Sequence, residues 1–213
     1  MHATSADSSE KANMKSIPGA GAPPSQDAWQ NTFNQALPYQ KFLDEFATGD
    51  QREKWDTIHS KIQLTTEHKT LLEGFVRRMP VIVLCGTWCG DCVNQCPIFE
   101  HFDSISDALD VRFLDRDACP DMAAHLKVCG GQRVPTVVFL SEDWYPVLVY
   151  GDKTLSAYRS ASCEQNVGSS CSTGLVSPDS DSTAAVISDW LDQFERVQLI
   201  LRLSGRLRQV HGD

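Results

Sequence analysis

The chain has no apolar stretch long enough to cross a bilayer, which takes about 20 consecutive apolar residues, and it has no surplus of positive charge. Its 19 Lys and Arg are outweighed by 28 Asp and Glu, giving a net charge of −9. Neither nucleic acid nor an anionic membrane is therefore expected as a main partner. Residues 1–15 lack the apolar core of a secretory signal, so the expected compartment is a reducing cytoplasm, in which the eight cysteines stand mostly as thiols. A second Cys-x-x-Cys is also missing. Nine residues separate Cys119 from Cys129 and seven separate Cys163 from Cys171, and no His pair has finger spacing. The two halves of a structural zinc knuckle are thus not both present. A purely structural disulfide between Cys89 and Cys92 is disfavoured as well, because so small a loop contributes little stabilisation and is easily reduced.

What is present concentrates between Pro80 and Pro97, which reads P-V-I-V-L-C-G-T-W-C-G-D-C-V-N-Q-C-P. Val81 to Leu84 form an apolar run with the length of a buried strand, ended by Gly86 and Thr87, so Cys89 is expected at the opening of the next helix. Unpaired backbone N–H groups and the positive end of the helix dipole stabilise an anion there. On that ground Cys89 is expected to ionise more readily than a free cysteine. Cys92 follows one turn along, placed to attack a mixed disulfide at Cys89 and release its other half. Such a pair is a two-electron redox device.

With W-C-G-D-C after an apolar strand and R-V-P-T-V-V-F-L at Arg133 to Leu140, the chain resembles the thioredoxin superfamily. The resemblance covers about residues 61–160 and the C-terminal helix. It implies an α/β, thioredoxin-like fold: a central mixed sheet flanked by helices, here with extra N-terminal helices and an extended C-terminal helix. It further implies a cis bond before Pro135, with the Val134 backbone offered to an extended substrate and Trp88, Gly90 and Asp91 shaping the surface around the disulfide. Cys89 and Cys92 would be catalytic in a thiol-disulfide oxidoreductase, most simply a disulfide reductase, that needs no cofactor or metal. Its partners would be a disulfide-containing protein or small-molecule thiol substrate and a reductase or thiol electron donor. Two departures limit the likeness. Asp91 stands where the family has proline between the cysteines, and its carboxylate is expected to oppose thiolate formation. Val83 and Phe113 stand where the family keeps a buried acid and its partner lysine, a joint loss that leaves no lone buried charge. Proton transfer to Cys92 would then fall to water or to Asp91.

Around this motif the chain divides into a disordered N-terminal tail at 1–26, a helical extension at 27–60 and a thioredoxin-like domain at 61–213 with a Cys- and Ser-rich insertion at about 160–182. In the extension Phe33, Leu37, Phe42, Leu43 and Phe46 recur at helical spacing, as do Trp55, Ile58 and Ile62, and packing on the core is their expected role. Residues 62–65 read as a short strand. Thr66 would cap a helix to about Arg78 with Leu71, Leu72, Phe75 and Val76 inward. Strands at 111–114, 136–140 and 145–150 follow, with a short helix at 121–128 and a long one from Thr183 to about Val210. Cys85 reads as a buried small hydrophobe. Cys96, Cys129, Cys163 and Cys171 are candidates for a second redox step, against the plainer readings of packing for Cys96 and reduced loop thiols for the last two. Two other classes of function stay open: a binding or adaptor module on the same fold, and a metal-handling protein holding a soft ion on Cys89, Cys92 and Cys96.

Overall fold

The computed structural model describes residues 23–165 and 182–212, without the side chains of 163–165 and 182. Four strands form one sheet: β1 (Met79–Cys85), β2 (Leu109–Asp115), β3 (Thr136–Leu140) and β4 (Pro146–Gly151), in the spatial order β2-β1-β3-β4. β1 and β2 run parallel, and β3 lies antiparallel to both β1 and β4. Every residue of β1 is buried. That agrees with its unbroken apolar run, since a central strand covered on both faces has no polar side. Val83 and Phe113 are register partners, both buried, so the two apolar replacements touch the same part of the core.

Helix α5 (Gly90–Asp103) carries the chain from β1 toward β2, and α6 (Pro120–His125) carries it on toward β3. The C-terminal helix α8 (Ser182–Leu203) buries Ile187, Trp190, Leu191, Phe194, Val197 and Leu201. Phe194 meets Phe102 and Phe139 edge-on at 5.2 and 4.9 Å, which ties α8 to both α5 and the sheet. The mixed sheet with flanking helices is the thioredoxin-like α/β fold.

The N-terminal segment forms α1 (Gln26–Gln35), α2 (Tyr39–Phe46) and α3 (Gly49–Lys61). Pro38 sets the start of α2, where a missing N–H costs nothing, and Thr48 opens α3 with a capping box to Gln51. Phe33, Phe42, Leu43 and Trp55 join the common core. Between α1 and α2, Leu37 exchanges two backbone hydrogen bonds with Phe113, at 2.9 and 2.7 Å, along the outer edge of β2.

Several sequence expectations are corrected here. Residues 62–65 form no strand. Ile62 ends α3 and Thr65, rather than Thr66, caps α4 (Thr66–Glu73) by accepting from the His68 N–H. The β2 edge is occupied by Leu37, so this segment finds no strand partner there. Helix α4 stops at Gly74, well before Arg78, which turns Val76 outward to 66% exposure. The last helix breaks at Ser204, whose hydroxyl caps a separate α9 (Gly205–His211). Residues 155–165 are helical, α7, where a loop insertion was expected from about 160. Residues 1–22 and 166–181, with Cys171, lie outside the described residues, as does the side chain of Cys163.

Candidate active site

Cys89 is the residue before the first turn of α5, with an extended backbone (φ −85°, ψ 123°), and its carbonyl accepts the helix's opening bond from Val93. Its thiol is half-buried and donates to the Val134 carbonyl at 3.6 Å. The Val134–Pro135 peptide bond is cis. Cys92, one turn on, is completely buried. One sulfur therefore faces the surface beside the proline loop, and the other lies under it.

The two thiols titrate as one unit. Burial by itself pushes Cys92 up, but the thiols of Cys89 and Cys96 and the Gly86 backbone turn toward its sulfur and bring it down to about 6. Cys89 is pushed up, first by the same contact with Cys92 and then by burial. The easily lost proton was expected from Cys89 on the strength of the helix dipole. The geometry moves it, because the inner sulfur gathers more donors than the outer one. The two sulfurs thus share one hydrogen-bonding contact, with the outer thiol turned toward the inner one.

Asp91 does not point its charge at the sulfurs. It forms an ion pair with Lys153, just past β4. The expected opposition to the thiolate is thereby offset, and a carboxylate already paired with lysine is a poor shuttle for the Cys92 proton. Trp88 lies back over Gly86 and remains 47% exposed. A Cβ at Gly86 would sit 2.7 Å from the indole, so a larger residue there would push Trp88 out of this position. The Arg116 guanidinium stacks on the other part of this surface, 4.3 Å from the Trp88 ring centre.

Two sets of contacts hold the site, one on each side. The Gly86–Cys89 turn is held by the N-terminal helices: Trp55 Nε1 donates to the Thr87 carbonyl at 3.0 Å, and the Thr87 hydroxyl donates to Gln51 Oε1 at 2.9 Å. The proline loop is held by charge. Arg133 pairs with Asp152 at 3.0 Å, Tyr158 donates to the other oxygen of the same carboxylate, and Gln95 of α5 donates to the Asp152 carbonyl at 3.1 Å. Gln95 is itself fixed by Trp190 Nε1 at 2.9 Å.

The structure thus brings Trp88, Cys89, Gly90, Asp91, Cys92, Val134 and Pro135 together at one place. Cys96 joins them from below, fully buried between Cys92 and Cys85. Cys85 is buried as expected, but it also ends this row of sulfurs. Cys129 is exposed, with a positive φ of 51°, and its electrostatic influence falls on Arg133 rather than on the paired thiols. Lys153, Asp152, Gln95 and Arg116 were missed by sequence reasoning. Gly151 to Lys153 reads as a polar turn, and nothing in its pattern signals that it reaches across to α5 and the proline loop.

A family model described as thioredoxin matches residues 36–157. The chain belongs to the thioredoxin family. The match takes in the whole sheet, the Cys89–Cys92 turn, the proline loop and two of the three N-terminal helices. Among solved structures, a protein of unknown function from Pseudomonas aeruginosa aligns with a TM-score of 0.61 at 14% identity, covering 82% of this chain and 99% of that one. An HIV epitope-scaffold aligns with a TM-score of 0.54 at 12% identity, covering 86% and 98%. At such identities the likeness is one of fold. No curated protein matches the sequence. Among the described residues, no helix is long and apolar enough to cross a membrane.

Proposed function

We propose that the chain is a thiol-disulfide oxidoreductase, acting mainly as a disulfide reductase, with Cys89 as nucleophile and Cys92 as resolving thiol. The observation that carries this reading is the inequality of the two sulfurs: one half-exposed beside Val134, the other buried beneath it. In the reduced pair Cys92 takes up the Cys89 proton as Cys89 attacks one sulfur of a substrate disulfide. The substrate's S–S bond breaks, a Cys89–substrate S–S bond forms, and the first substrate thiolate leaves and is protonated. Cys92 then gives up that proton to solvent water and attacks the Cys89 sulfur, breaking the mixed disulfide, expelling the second substrate thiolate and closing the Cys89–Cys92 disulfide. Two electrons have passed to the substrate. A reductase or a small thiol of the cytoplasm returns them, and no bound cofactor takes part.

In this reading an extended substrate segment lies along the Val134 backbone, with Trp88, Gly90 and Asp91 beside it. Residues 61–213 are the working domain and 27–60 the brace on its active-site turn. Cys92→Ser is expected to accumulate mixed disulfides with substrate, and Cys89→Ser to abolish insulin-disulfide reduction. Full reductase activity in Cys92→Ser would sink the two-thiol mechanism. A wild-type pair that stays as free thiols across graded redox buffers would leave a binding module as the better reading.

A further inference from the structure

At the far end of α5 from the thiols, a second group of reactive side chains comes together. His59 projects from α3, and Glu100 and His101 from α5. One ligand atom from each lies within 4.8 Å of the other two. His59 Nε2 and Glu100 Oε2 are 2.6 Å apart, and the two imidazoles stack with their centres at 4.3 Å. All three residues are partly buried, so an ion could reach them from solvent.

We infer that His59, Glu100 and His101 form a binding site for a divalent transition metal, with zinc as the ion it takes. Two imidazoles and one carboxylate are a donor set that zinc uses, with a fourth position left for water or another ligand. Bonds of about 2.0–2.2 Å require ligand atoms roughly 3.4 Å apart in a tetrahedron, so only small side-chain rotations separate the present arrangement from a closed one. His101 has one ring nitrogen already engaged. Its Nε2–H donates to the His59 backbone carbonyl at 3.1 Å, which leaves the Nδ1 lone pair for a metal. A backbone acceptor on the second nitrogen is the usual support of a ligating histidine.

A separate observation points to the same place. Tyr39 is 4% exposed, and its hydroxyl finds no hydrogen-bond partner among the described residues. The Tyr39 ring lies 5.6 Å from that of His59, and its hydroxyl is within electrostatic reach of Glu100. A buried phenol left without a partner is costly, and a metal-bound water would supply one. Zinc would take the place of the direct contact between His59 and Glu100. It would fasten α3 to α5, without touching Cys89 or Cys92.

The test uses the full chain, and because thiols also bind zinc it includes a background without the Cys89–Cys92 pair. Zinc affinity is measured by chelator competition in wild type and in a Cys89→Ser/Cys92→Ser background, with cobalt as a spectroscopic probe. The site predicts one ion retained in the double-serine background, with a cobalt spectrum free of sulfur-to-metal charge transfer. His59→Ala and His101→Ala should each weaken that binding by about tenfold or more, and Tyr39→Phe by less. Circular dichroism without metal establishes that each variant is folded, and Glu100→Gln offers a variant of nearly unchanged shape. Affinity unchanged by the histidine substitutions, no zinc bound in the double-serine background, or a cobalt spectrum dominated by thiolate would overturn the assignment.

Discussion

The active-site turn and the proline loop face each other across Cys89, yet they are held in opposite ways. Thr87 is gripped by neutral hydrogen bonds, its carbonyl accepting from the buried Trp55 and its hydroxyl donating to the partly buried Gln51, beside an aromatic cluster that includes Phe42 and Tyr39. The proline loop depends on a carboxylate, Asp152, shared between Arg133 and Tyr158. Arg133 is half-exposed in that pair. Neutral bonds in a packed core are insensitive to salt and strongly coupled to folding. A pair with one partner in water is weaker and screened by salt. The thiols thus sit between a fixed wall and an adjustable one.

The largest effect expected from breaking this contrast is at Trp55. Trp55→Ala should cost about 3–5 kcal/mol in chemical denaturation, since a wholly buried indole is removed together with its bond to Thr87. Next comes Asp152→Ala, which unties Arg133 and Tyr158 and should cost about 1–3 kcal/mol. Unlike Trp55→Ala, it should also make insulin reduction lose its dependence on ionic strength. If both variants respond equally to salt, the two walls are not different in kind. Trp55→Phe sharpens the comparison by keeping the ring and deleting the donor, with an expected loss of about 1 kcal/mol.

The pH dependence reports on the thiols between the walls. Alkylation of the reduced pair by iodoacetamide should have its midpoint near 6, set by the lowered Cys92 value, against about 8.5 for a free cysteine. The sign for stability follows. The ionised form is favoured in the folded chain, so the reduced protein's added stability is complete near the ordinary thiol value and is lost as pH falls through about 6. The smallest change is expected from Lys153→Met, which leaves the Asp91 carboxylate uncompensated and should raise the alkylation midpoint by roughly half a unit. An unmoved midpoint would mean that Asp91 is already screened by water.

How much of this was legible depended on whether the signal was local. The Val81–Leu84 run, the turn at Gly86 and the capping position of Cys89 are consecutive features, and the motif at Arg133 to Leu140 is equally compact. The two candidate redox sulfurs and the proline loop could therefore be read directly. What escaped was long-range. Lys153 meets Asp91 across 62 residues, and Trp190 meets Gln95 across 95. No periodicity encodes either contact. The reading of Cys89 as the readier acid failed for a related reason: the helix dipole is visible in sequence, but the convergence of Cys89, Cys96 and the Gly86 backbone on Cys92 is a matter of packing. The strand expected at 62–65 failed where the β2 edge is already taken by Leu37, a contact that no local pattern announces.

The two hydrogen bonds between Leu37 and Phe113 reach beyond the single chain. They occupy backbone groups that an unclosed outer strand would present to a neighbour. With β2 so obstructed, β4 is the border strand left for pairing among the described residues, and Pro146 removes one of its donors. A sheet with one usable border can recruit one companion and then has none to offer. Among the described residues, strand-by-strand growth would stop at two molecules.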